Sequence, residues 1–373
     1  MSDNLPLELQ LNIMKWLPIR SLIQCRTVSK AWKSLIDSAD FIKHYQGHKQ
    51  HLLVSYEALV DSERKYVSIA DDETFPQKKV SHTIPLLLQN PGIIGCSHGL
   101  LCLFGDYEDD SDDAISDTEA VVLWNLSIRK AVAVVLPYWV QGTVLGFGVC
   151  PTTNDPKIVK ILHDNSWDAH IFTLNTGVWR SCNNLPRESV QFSDSDLQQQ
   201  VVDGLLYWLA TDKITMVGGF TSCNLIISFD MTSEEFREVK FTNSLAHVCE
   251  LKLAMSKLRE SLVVLERDVG PNDTVWGVWM MEDGDPKTFT KLFNVSVNTP
   301  FESMVLARGF RMTSEAIIEI MDDERGQLFG YDPCSKHISN LGIDGEGFSF
   351  YVHSYEETLL LLDQQNLTVY NEV

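Results

Sequence analysis

The sequence predicts a multi-domain chain: a small all-α module of three short helices over residues 1–47, then an all-β propeller of six or seven degenerate blades over residues 51–373. Three observations carry this. Apolar residues recur at helical spacing only before residue 45. From His51 onward, short Val/Ile/Leu/Phe/Tyr/Trp runs alternate with Gly, Asn, Asp and Pro, the pattern of many strands joined by turns. Finally, an Asn or Asp closing an apolar run returns at Asp71, Asn125, Asn175, Asp230, Asp283, Asp332 and Asn371, at gaps of 54, 50, 55, 53, 49 and 39 residues.

In the first expected helix, Asn4 is placed to cap and Pro6 sits where its missing N–H costs nothing. Leu9, Ile13 and Leu17, with Met14 and Trp16, give the apolar period before Pro18 stops it. Ser21 is expected to cap a second helix carrying Leu22, Cys25 and Val28. A third, from about Ser29 to Asp37, bears Ala31, Trp32, Leu35 and Ile36, of which the last three read as core. Helices this short do not hold themselves together, so the module needs a partner, or else simply caps the domain that follows.

Periods near fifty residues, each with three or four strands, are those of propeller blades of the kelch kind. The first unit, HLLVSY/YVSIADD, and the last, FYVHSY/TLLLLD/LTVYN, are incomplete, which suits a ring whose two ends share a blade. The competing architecture, a pair of β-sandwiches, does not explain the regular period. Asn or Asp at a strand end supports its hairpin by bonding its own backbone, and ISFDMTSEEFREV (227–239) is the clearest example, with Asp230, Glu234 and Glu235 read as turn residues.

The formal net charge is -21, and residues 1–47, with six Lys/Arg against four Asp/Glu, stand apart at +2. So acidic a body repels polyphosphate and anionic membrane surfaces, which argues against nucleic-acid and membrane partners and for a basic protein partner. No basic segment followed by an apolar core opens the sequence, and no eighteen-residue apolar run occurs, so a soluble protein of the cytoplasm, the nucleus or both is expected. The eight cysteines stand singly, without CxxC spacing, and read as reduced thiols. Asn-x-Ser/Thr matches at Asn125, Asn272, Asn294 and Asn366 read as chance.

The order Leu5-Pro6, Leu17-Pro18, Ser21-Leu22, Cys25, Val28-Ser29-Lys30, Trp32, Leu35-Ile36 and Phe41 resembles the F-box, the helical module that docks substrate receptors on the Skp-type adaptor of cullin ubiquitin ligases. That resemblance implies that Leu5, Pro6, Leu17, Pro18, Ser21, Leu22, Cys25, Val28, Ser29 and Lys30 lie at or beneath the adaptor interface. Apolar anchors at helical spacing with a polar rim are what a helix-in-groove contact requires. Further on, GCSHGLLCL, LWNLSIRK, LGFGV, IFTLNTGVWR, VVDGLLYWLA, IISFDMTSEEFREV, VWGVWMM with FTKLF, and FGYDP are similar, in order, to landmarks of the plant F-box-associated domain, over roughly residues 95–360. Leu126 stands where a proline is usual, and TNDPKIVKI lacks the paired acidic and tyrosine residues common before that strand, which loosens any subfamily assignment.

Two stretches invite a catalytic or metal reading. GCSHG (95–99) matches the G-x-S-x-G nucleophile pattern with Ser97, but a strand follows where that motif needs a helix. DYEDDSDDAISDTEA (106–120) is rich in hard oxygen ligands yet lacks calcium-loop spacing, and reads as a solvated loop. No catalytic residue, metal site or cofactor is expected. The resemblance implies a non-catalytic receptor subunit, joining an adaptor (and through it a cullin) to a target protein; the alternative is a propeller scaffold with no ligase attached.

Overall fold

Pro6 and Pro18 each stand immediately before a helix, and the two helices they start, α1 (Leu7–Lys15) and α2 (Ile19–Val28), are joined by a three-residue corner. Ser21 therefore lies inside α2 and does not cap it. Ser29 caps α3 (Lys30–Ile36) by accepting the Ala31 N–H at 3.2 Å. A fourth helix, α4 (Ala39–His44), follows where three were expected: Asp37 ends α3, and Ser38 starts a new helix by accepting the Phe41 N–H at 3.3 Å. The structure, a computed structural model, describes residues 6–370 apart from 46, 48, 85–87, 108–117, 139–141, 165, 184–185, 194–198, 217–218, 242–243, 271–273, 298–303 and 366–367. Leu5, Asn4, Asn371 and most of the acidic stretch at 106–120 lie outside the described residues.

The remaining chain forms six sheets, each one blade. Their innermost strands are Tyr351–Glu356, Leu88–Ser97, Val144–Val149, Gln200–Val202, Leu253–Leu258 and Met304–Phe310, which neighbour one another around the ring. Blade 1 joins the two ends of the sequence: Tyr351–Glu356 pairs with Gln50–Glu57, which pairs with Arg64–Ala70 and then Lys79–His82. The first and last incomplete units are thus one blade, which fixes the count at six. Of the last unit, TLLLLD is no strand, and Thr368–Tyr370 adds in parallel to the outer edge of blade 2, against Lys130–Val135.

Several expected turn residues do what their chemistry dictates. Asn125 accepts the N–H groups of Ser127 and Ile128, Asp230 those of Thr232 and Ser233, and Asp332 that of Cys334. Others serve the joints between blades. Asp71 accepts Arg311 Nε at 2.7 Å and the Met312 N–H at 3.0 Å, tying blade 1 to blade 6. Glu234, read from sequence as part of a hairpin, receives Lys157 Nζ at 2.7 Å and also Arg180, both from blade 3. Burial works to raise its pKa but is outweighed by the two cations, which hold it below the ordinary range.

Beyond blade 1 the chain drops beneath the ring. Leu359, Leu360, Leu361 and Leu362 are buried in one cluster with Met14, Ile19, Leu22, Ile36, Phe41, Ile42 and Tyr45 from the helices, and with Leu123, Val132, Phe147 and Phe172 from blades 2 and 3. The helical module therefore keeps no separate core; the leucine segment is the layer between it and the propeller. Polar bonds hold that layer in register: the buried Asn125 amide donates to Thr358 O at 2.9 Å and Leu360 O at 2.8 Å, and Lys130 Nζ donates to Leu362 O at 2.6 Å. Gly99, at φ +73, lies so close that a Cβ would stand 2.1 Å from Glu356 O, so both turn and packing demand glycine there.

Leu359→Ala, which empties a fully buried site, is expected to lower unfolding free energy by about 2–5 kcal/mol. It is also expected to speed protease cleavage between the helices and the ring, read by denaturant titration and limited proteolysis. A second expectation concerns acid. Burial first, with nearby cations adding to it, pushes His82 and His353 down to about 4. Below about 6.5 the unfolded chain takes up protons at these rings that the folded protein refuses until about pH 4. Stability contributed by their neutral forms is therefore complete above that window and lost as pH falls through it. Melting temperature should decline from pH 6.5 to 4, and His353→Gln should reduce the slope.

Candidate interaction surfaces

Within each blade, the turns joining the first strand to the second and the third to the fourth lie on one face of the ring. Second strands end, and the inner strands begin, toward the other. The helices sit on the first of these faces: Lys43 Nζ donates to Thr152 O at 3.1 Å, and Asn154 Nδ2 donates to Lys43 O at 2.9 Å, both in the first turn of blade 3. Everything built from the ends of second strands, or from the starts of inner ones, faces the other way.

On the helical side, α1 packs Leu11 and Met14 toward the leucine layer and turns a different stripe outward. Leu9, Ile13 and Trp16, spaced i, i+4, i+7, are 49, 54 and 75 % exposed, and Leu7 and Val28 are 61 and 72 % exposed. Pro6, Pro18 and Lys30 are exposed beside them, while Leu17, Ser21, Cys25 and Ser29 are half-buried. Leu22 is fully buried against the leucine layer, beneath this surface. Of the residues read as core, Ile36 is buried and Trp32 and Leu35 are half-buried, with Trp32 Nε1 donating to Gln10 Oε1 at 3.0 Å. Leu7, Leu9, Ile13 and Trp16 were not singled out as contacts by sequence, because a helical apolar period does not say which of its residues the core claims.

The module's framework is ionic as well as apolar. Arg26 grips Asp37 through Nε at 2.5 Å and a terminal nitrogen at 2.9 Å, and Lys33 adds a third bond at 2.8 Å. Partial burial works to raise the Asp37 pKa, but the two cations prevail and hold it low. Tyr45 donates to Leu17 O at 3.0 Å, fixing the corner between α1 and α2.

Across the ring, the inner strands of blades 5 and 6 and the second strand of blade 4 border a cavity of about 170 Å³ at the mouth of the central channel. Trp208, Leu253, Met255, Trp276, Leu306 and Phe348 give it apolar walls, and Arg267 and Arg308 are its two charged residues. Arg308 donates to the buried Glu319 at 2.6 Å. The longest hairpin, Leu205–Met216 with Gly219–Asp230, runs to this same face.

Ser97 is placed by a two-residue hairpin turn, His98 and Gly99, between antiparallel strands. Its Oγ accepts the buried Val149 N–H at 3.2 Å and lies 3.1 Å from His98 Nδ1. That is a hairpin joint between blades 2 and 3, without the strand-to-helix elbow a nucleophile motif needs. Among the described residues no cluster of three or more His, Cys, Asp or Glu side chains is placed to hold a metal, and no helix is long and apolar enough to cross a membrane.

Residues 96–353 match the family described as the F-box associated beta propeller domain, and residues 2–44 match the F-box domain. The chain is 25 % identical over 328 residues to the F-box/kelch-repeat protein At3g23880 of Arabidopsis thaliana, covering 80 % of this chain and 81 % of that protein. To F-box protein At2g34280 of the same plant it is 22 % identical over 395 residues, covering 90 % and 93 %. Among solved structures, TolB from Acinetobacter baumannii superposes with a TM-score of 0.44 at 11 % identity, covering 83 % of this chain and 66 % of that one.

Because Ile13 is about half exposed, Ile13→Ser should leave the melting temperature within about 1 °C, since exposed substitutions change stability by only about 0.5 kcal/mol. Leu22→Ser, nine residues on, should lower it by many degrees; thermal denaturation of both variants reads the contrast.

Proposed function

Because the chain belongs to the F-box-associated β-propeller proteins and carries an F-box ahead of that domain, we propose that it is the substrate-recognition subunit of a Skp-cullin-F-box ubiquitin ligase. The observation that carries the proposal is the exposed apolar stripe of Leu9, Ile13 and Trp16, with Leu7 and Val28 beside it, on a module whose other apolar residues are already claimed by the leucine layer. Soluble domains seldom leave several large apolar side chains together in water unless a partner covers them. A helical groove on a Skp-type adaptor would remove them from water, and Pro6, Pro18, Ser29 and Lys30 would form the rim.

The propeller then presents its opposite face to the target. Its contribution to ubiquitination is proximity: the rigid layer between helices and ring fixes how far a bound target's lysines stand from the conjugating enzyme that the cullin carries. No group on the chain is required to take part in bond making, so the subunit acts without chemistry of its own. The compartments in which it works are the cytoplasm, the nucleus or both.

Purified Skp-type adaptor should co-elute with the wild-type protein, and Trp16→Ala with Val28→Asp should weaken that association at least tenfold at unchanged melting temperature. Failure of the wild type to bind, or equal binding by the double variant, would sink the ligase reading.

A further inference from the structure

Arg267 is the one cation of the channel-mouth cavity left without a carboxylate among the described residues. It lies at the end of the second strand of blade 5 (Ser261–Val269), on the side that also carries Val263 and Leu265 toward blade 6. Its sequence neighbours Glu266 and Asp268 point to the other face of that strand by alternation, and Glu266 accepts Trp279 Nε1 there at 2.9 Å. Within the cavity, Arg308 is engaged by Glu319. Arg267 Nε is buried with no hydrogen-bond partner. Trp276 lies directly opposite on the next strand, its ring centre 6.0 Å from the guanidinium carbon. That ring is itself fixed by donation from Nε1 to Val305 O at 3.1 Å. Burial lowers the proton affinity of Arg267.

Arg267 is half-buried, and it is its Nε that lies out of water with no partner; an unpartnered buried N–H is costly, and more so on a cation. The cost is removed when an anion enters. The cavity is small, about 170 Å³, and walled by Trp208, Leu253, Met255, Trp276, Leu306 and Phe348. It has room for one carboxylate side chain and part of an apolar neighbour. The long hairpin of blade 4 stands on the same face, so an extended peptide reaching the mouth meets further surface.

We infer that the channel mouth binds an acidic peptide segment of the target protein: one Asp or Glu seated on Arg267, flanked by an apolar residue against Trp276 and Phe348. The acidic body of the propeller requires the rest of that segment to be neutral or basic, because further carboxylates outside the cavity are repelled. This deepens the receptor reading and rests on it for the word target, but its geometry stands separately. A basic protein, favoured by overall charge, thus binds through an acidic anchor.

The probes are two capped peptides, acetyl-Leu-Glu-Leu-amide and its Gln isostere, titrated into the full chain in complex with adaptor, with binding read by ligand-observed NMR and by tryptophan fluorescence. A charge-assisted hydrogen bond that the amide cannot replace predicts roughly tenfold or greater preference for the Glu peptide. Arg267→Met, matched in length and without charge, should abolish that preference while the melting temperature holds or rises, and Arg267→Lys should restore part of it. Equal binding of the two peptides to wild type, no binding of either, or a preference that survives Arg267→Met would overturn the inference. So would hexanoate binding as tightly as the Glu peptide, since the site would then serve a free carboxylate and no peptide. The adaptor pull-down is a separate readout, so loss of the ligase reading and loss of this one are distinguishable.

Discussion

The pairing of Tyr351–Glu356 with Gln50–Glu57 closes the ring, and the rest of the structure depends on that seam. Six blades bury their faces only against one another, so an open ring exposes two apolar surfaces at once. The seam is reinforced at its other border by Asp71 and Arg311, whose side chains are 3 and 11 % exposed. A buried ion pair of this kind is weak evidence for net stability, but it specifies which blade meets which. Immediately after the seam comes the leucine layer, so the same few residues that shut the propeller also seat the helices.

Seating the helices in this way has a geometrical result. Their apolar residues divide into two sets, one sealed by Leu359 to Leu362 and one left in water, and the division sets the outward direction of α1 relative to the ring axis. Because the layer is bonded through Asn125 and Lys130 to backbone carbonyls on the segment itself, the direction is not free to wander about a linker. The two candidate surfaces thus look away from each other across the thickness of a propeller. A partner at one does not obstruct a partner at the other.

Much of this was legible in the sequence, for identifiable reasons. Strand ends marked by Asn125, Asp230 and Asp332 are visible because their turn chemistry is local, completed within three residues. The shared first and last blade was legible from two incomplete units. What escaped was whatever depends on distant partners. Asp71 and Glu234 have the residue type and position of turn formers, yet they serve ion pairs with Arg311 and Lys157, remote in sequence. TLLLLD has the composition of a strand; only its neighbours, seven apolar side chains on helices more than three hundred residues earlier, make it a filler. At the candidate site, the F-box order was readable, but the choice of Leu22 as support and of Ile13 and Trp16 as surface needed the leucine layer in place. Arg267 carries no sequence signal at all, since its standing comes from a buried Nε that no described residue meets.

The position of the closing strand in the chain also has a consequence for biosynthesis. The helices and the three outer strands of blade 1 leave the ribosome early, yet their cover, residues 351–362, comes almost three hundred residues later. At ordinary synthesis rates of about 5–20 residues per second, the interval is on the order of tens of seconds. Throughout it, the apolar underside of α2 and the inner edge of blade 1 are unpaired and must be shielded by chaperones or by transient contacts. A chain that stops short of residue 351 has an F-box by sequence but no layer to orient it, and the quality-control machinery meets it as an unfinished ring.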